Sequence, residues 1–106
     1  LGIHVTPPNK AWLNLNQQMR PLARSYINAL EEGNSVDNLK NDLKRINDAC
    51  EKIYREVYEK TIQVLDKGKI AAVLGGDHSC ALGILKACKE KYTSFGVLQI
   101  DAHRSI

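Results

Sequence analysis

Aromatic side chains are scarce: one tryptophan, Trp12, one phenylalanine, Phe95, and four tyrosines in 106 residues. They are too few and too scattered to build a base-stacking platform. Charge of one sign is never concentrated either. The 15 Lys and Arg residues are interspersed with 12 Asp and Glu, for a net charge of +3, so no basic arm is offered to nucleic acid. No apolar run approaches the ~18 residues that cross a bilayer, and no membrane partner is expected. The stretch Leu1 to Lys10 has neither a basic start nor an apolar centre, so it does not read as a signal peptide. Cysteine is sparse and odd in number: Cys50, Cys80 and Cys88, with no Cys-x-x-Cys pair. That usage points to a reducing compartment, and the cytoplasm is the expected location. An initiator methionine is also lacking, and the chain stops just after an apolar run and Asp-Ala-His. The expectation is a piece of a longer protein.

What is present reads as ordinary globular sequence. A hydrophobic share of 43% and a charged share of 25% disfavour disorder and low-complexity classes. The length fits one small domain spanning residues 1–106. Residues 1–19, rich in Asn, Gln and Pro, are expected to be irregular. Pro21 suits a first helical position, and Leu22, Ala23, Tyr26, Ile27 and Leu30 recur at helical spacing up to Gly33, which predicts a helix over 20–32. Ser35 or Asp37 can cap a second helix over 36–67. Its apolar positions Val36, Leu39, Leu43, Ile46, Cys50, Ile53 and Val57 alternate steps of three and four, and Gly68 ends it. Such a stripe packs on a neighbouring element or pairs with another helix.

The last third carries the chemistry. Ile70 to Leu74 and Phe95 to Ile100 are short continuous apolar runs flanking helical spacing at Ala81, Leu82, Leu85 and Cys88. The expectation over 70–100 is strand, helix, strand, with the two strands parallel. In an open parallel sheet the ligand site lies beyond the carboxyl ends of the strands. Gly75-Gly76-Asp77-His78-Ser79 follows the first run and Asp101-Ala102-His103 the second. His78, Asp101 and His103 are therefore expected to share one ligand, and two imidazoles with a carboxylate suit a divalent cation such as Mn, Fe or Zn. Asp77 fits a supporting role, accepting a hydrogen bond behind the ligands. A phosphate-cradling loop at Gly75-Gly76 is the weaker reading, since no full phosphate-loop pattern is present and Asp77 would face the anion. Cys80 could act as a ligand or nucleophile, but a small buried helix residue is the plainer reading. His4 has no motif around it.

Leu74-Gly-Gly-Asp-His-Ser79 followed by Gln99-Ile-Asp-Ala-His103 resembles the paired metal motifs of the ureohydrolase family, which includes arginase, agmatinase and formimidoylglutamase. The run of a long helix into Lys-Gly-Lys and the Phe-Gly-Val-Leu-Gln-Ile lead most resemble bacterial agmatinases. The resemblance implies an α/β fold of three layers, α/β/α, with a central parallel sheet, of which this chain would be the N-terminal part. It implies two manganese ions and a hydroxide that attacks a guanidinium carbon. Carried over, His78 resembles the ligand of one ion, Asp101 the bridging carboxylate, and His103 the ligand of the other. The reaction implied is hydrolysis of a guanidino compound, agmatine to putrescine and urea first among them, in polyamine metabolism. A small-molecule guanidino substrate and a homo-oligomeric full-length protein come with it.

The departures matter as much. The family continues Asp-Ala-His-x-Asp, whereas here Ser105 follows Arg104. A later Asp-x-Asp pair and the substrate-binding residues would lie past Ile106. The chain by itself is accordingly expected to be incomplete and inactive, with its catalytic and substrate-binding residues unassigned. The alternatives are a formimidoylglutamase- or arginase-type hydrolase, a non-catalytic metal-binding or helix-pairing protein, and, more remotely, an acyl-amine deacetylase.

Overall fold

A computed structural model describes residues 2–76 and 78–102. The chain divides into two units, Leu1–Tyr54 and Arg55–Ile106. In the first, helix α1 runs from Lys10 to Glu31. The Asn9 side chain starts it, accepting a hydrogen bond from the Ala11 amide at 2.9 Å and so satisfying one of the donors a helix start leaves unpaired. The helix thus begins about ten residues before the position that Pro21 suggests. Pro21 lies inside it, where it forgoes one backbone bond. The half-buried positions Trp12, Leu15, Met19, Leu22, Ala23, Tyr26 and Ala29 explain why: the helical stripe already runs through the Asn- and Gln-rich segment.

At the far end Gly33 takes φ +72°, its amide reaching the Leu30 carbonyl at 3.1 Å while the Asn34 amide reaches Ala29 at 2.9 Å. Only a residue without Cβ adopts that conformation cheaply. A 3-10 turn over Asp37–Leu39 leads into helix α2, Lys40–Asp66. Gly68 ends α2 in the same way, at φ +70°. Along α2 the buried position between Ile46 and Ile53 is Ala49, while Cys50 is exposed. A stripe with steps of three and four tolerates either residue, and the smaller one lies inside.

In the second unit a 3-10 turn over His78–Ala81 leads into helix α3, Leu82–Lys91. Gly83 and Ala87, four residues apart and so on one face, are its buried positions. On the α2 side Thr61 and Leu65 are buried, again four apart, and the Thr61 hydroxyl donates to the Val57 carbonyl at 2.7 Å. Polar contacts tie the two helices together. The Tyr58 hydroxyl donates to Glu90, Lys86 Nζ lies 4.9 Å from the centre of the Tyr58 ring, and Lys91 Nζ donates to Asp66 Oδ1 at 2.7 Å. Hydrogen bonding to Asp66 and its negative charge hold the Lys91 pKa above its ordinary 10.5.

The expected α/β class, with three layers and a parallel sheet, is overturned. All regular elements among the described residues are helical, and none is a strand. The runs at 70–74 and 95–100 are irregular, with Ile70 96%, Leu74 100%, Leu98 86% and Ile100 91% exposed. A strand exists only as one side of a ladder, each backbone bonded to another about 4.8 Å away. These two runs do not form such a ladder with each other. Apolar composition signals a tendency to be buried and does not supply the partner. No described helix is long and apolar enough to cross a membrane.

Candidate metal centre

The 3-10 turn that opens α3 carries His78, and the irregular segment after α3 carries Asp101. The two side chains meet: His78 Nε2 lies 3.1 Å from Asp101 Oδ2. The imidazole is 75% exposed while the carboxylate retains only 16%, so the acceptor is recessed and the donor stands at the rim. Gln99 Nε2 donates to the same Oδ2 at 3.3 Å. Gln99 and Asp101 are two residues apart, a spacing that places side chains on the same side of a non-helical chain. Sequence reasoning quoted Gln99 only as part of a motif. The signal for its role was this spacing.

Gly75 completes the local geometry. A Cβ built on it would stand 2.6 Å from Cys80 Cβ and would also overlap Cys80 Sγ. Residues 75 and 80 therefore come into close contact, with His78 between them in the sequence. Cys80 is half-buried with a free thiol.

Of the four residues singled out for the site, His78 and Asp101 are brought together without any sheet. His103 and Asp77 lie outside the described residues. Among the described residues no group of three or more His, Cys, Asp or Glu is placed to hold a metal. The donor pair nevertheless fits a cation. An imidazole nitrogen and a carboxylate oxygen are donors that suit a divalent cation, and the 3.1 Å between them is an ordinary ion-pair distance.

The arginase family model matches residues 13–106, nearly the whole chain. The chain belongs to the arginase family. Within it, the chain is 40% identical over 76 residues to an arginase of Bacillus caldovelox, covering 72% of this chain and 23% of that protein. It is 37% identical over 68 residues to a mitochondrial agmatinase of Gallus gallus, covering 64% and 16%. It is 39% identical over 62 residues to a mitochondrial guanidino acid hydrolase of Homo sapiens, covering 58% and 16%. This arginase-family chain spans less than a quarter of the length of these relatives. No solved structure matches it.

Proposed function

We propose that His78, Asp101 and His103 belong to a manganese site, and that the protein carrying them hydrolyses a guanidino compound. The supporting observation is the 3.1 Å meeting of His78 and Asp101, which joins the two family motifs at donor atoms. The names of the relatives, arginase, agmatinase and guanidino acid hydrolase, have a guanidino substrate in common. Agmatine is the preferred candidate, on the likeness of the segments around the motifs to agmatinases.

In this reading Asp101 supplies a recessed anion, His78 an imidazole nitrogen at the rim, and Gln99 fixes the carboxylate by occupying Oδ2. When bound, divalent cations supply Lewis acidity and a water acidified toward neutral pH. For Asp77 the proposed role is to accept a hydrogen bond behind the ligands, orienting the loop or a ligand. Ser105 stands where the family pattern has a carboxylate, and its neutral hydroxyl is a poor substitute. These 106 residues by themselves are therefore proposed to hold manganese without turnover.

Titration of the chain with Mn²⁺, followed by the electron spin resonance of the free ion, tests the site. Binding that weakens by an order of magnitude or more in His78→Ala and Asp101→Ala is the expected result. No binding, or binding indifferent to both changes, overturns it. For the reaction, urea release from agmatine, arginine and 4-guanidinobutyrate and formamide release from formiminoglutamate are compared in the whole protein. Urea from agmatine is expected to dominate, and release from none of the four refutes the assignment.

A further inference from the structure

We propose that Gly75 and Cys80 form a steric latch that positions His78 against Asp101. The inference rests on reading His78 and Asp101 as a donor pair, and it assigns no chemistry to the thiol. His78 lies between the two ends of the latch, in a short 3-10 turn with no buried residue to anchor it. A turn of this kind has little to define its direction: its hydrogen bonds are few and their geometry is poor. The exposure of the His78 ring means that packing around the imidazole does not fix it either.

The close approach between residues 75 and 80 provides what the turn lacks. Cys80 is half-buried, and its Cβ and Sγ occupy the space that a side chain at position 75 would need. Contact at that separation is possible only because residue 75 is glycine. The neighbouring Gly76 has nothing within 4 Å of a built Cβ, so the steric demand falls on Gly75 alone of the pair. A side chain at 75 must part residues 75 and 80. His78 sits on the segment between them, while Asp101 sits on a different one. The 3.1 Å contact is then lost, because a hydrogen-bonded pair fails within a few tenths of an ångström beyond its normal range.

The test uses the full 106-residue chain and the variants Gly75→Ala, Cys80→Gly, Cys80→Ser and the double Gly75→Ala/Cys80→Gly. Three readouts are taken: nuclear Overhauser contacts between the His78 ring and the Asp101 β protons without metal, Mn²⁺ affinity, and helix content by circular dichroism. Gly75→Ala is expected to lose the His78–Asp101 contact and to weaken Mn²⁺ binding by about 10-fold or more while keeping its helices. Cys80→Ser, nearly the same size, keeps both contact and affinity. The double variant regains the contact and binds within about threefold of Cys80→Gly, because the two effects are coupled.

A Gly75→Ala chain that retains the contact overturns the latch, as does a double variant no better than Gly75→Ala. If Gly75→Ala also loses helix content, the double variant still decides: recovery supports the latch and no recovery overturns it. A wild-type chain showing no His78–Asp101 contact overturns it as well. A wild-type chain that shows the contact but binds no Mn²⁺ removes the metal reading and leaves the latch to be judged on the metal-free contact.

Discussion

His78 Nε2 and Asp101 Oδ2 stand 3.1 Å apart although a whole helix, α3, separates them in the chain. The irregular segment after α3 brings Asp101 back to the turn before the helix. A contact between motifs so far apart in sequence is the feature that gives this small structure a candidate site, and its energetic support can be tested piece by piece.

The first test concerns Gln99. Its amide occupies the same carboxylate oxygen that faces His78. Groups that orient a metal ligand from behind typically contribute 10–100-fold to metal affinity. Gln99→Ala is expected to weaken Mn²⁺ binding by about 10-fold, whereas Gln99→Glu also loses the donated hydrogen bond but places a negative charge near the cation and so weakens binding less. Isothermal titration of both variants checks this; an unchanged affinity in Gln99→Ala removes Gln99 from the site.

The ion pair of Lys91 with Asp66 gives a pH dependence with a definite sign. The Lys91 pKa is raised in the folded state, chiefly by hydrogen bonding to Asp66 and then by its charge. A raised lysine pKa favours the folded state while the lysine is protonated in both states, and that contribution disappears as pH rises through the folded value. Asp66→Asn is therefore expected to lower the thermal midpoint slightly at pH 7 and not at all above the raised Lys91 pKa. The difference should also shrink in high salt, because the pair is solvent-exposed. A deficit that persists unchanged at strongly alkaline pH contradicts this role.

Ala87 is completely buried on α3. An added branched side chain at that position must displace neighbours or force the helix outward, at a cost of about 1–3 kcal/mol. Ala87→Leu is expected to lower the urea midpoint accordingly, while Leu85→Ala, at a position 37% exposed, costs less. Equal losses at the two positions would show that α3 is not seated on its Gly83 and Ala87 face.

Asn9 caps α1 through its side-chain oxygen. Asn9→Ala is expected to cost about 1 kcal/mol and to reduce helix content at the start of α1, whereas Asn9→Asp preserves it. Amide hydrogen exchange at Ala11 to Leu13 reads this directly: faster exchange in the alanine variant supports a helix beginning at Lys10, and no change supports a start near Pro21.

Much of this was local information and so legible in the chain. The glycine terminators at Gly33 and Gly68, the long stripe of α2 and the helical spacing around Leu82 to Cys88 depend on neighbours within one or two turns. So do the motif residues themselves, since the pairing of Gly-Gly-Asp-His-Ser with Asp-Ala-His identifies the family without coordinates. The start of α1 was hidden because Asn and Gln, which usually mark loops, fill the solvent face of a helix whose apolar stripe is carried by Trp12, Leu15 and Met19.

Other features were decided only by tertiary structure, because each depends on a partner distant in the chain. Apolar runs at 70–74 and 95–100 announce a wish to be buried, but a strand requires a second backbone alongside, and no described segment provides one. Whether Ala49 or Cys50 is buried depends on the direction from which α2 is covered. The sharing of one Asp101 oxygen by His78 and Gln99, and the close approach of Cys80 to Gly75, follow from how far the chain turns around α3. Sequence by itself specified which residues could serve as donors. The path of the backbone determined which of them meet.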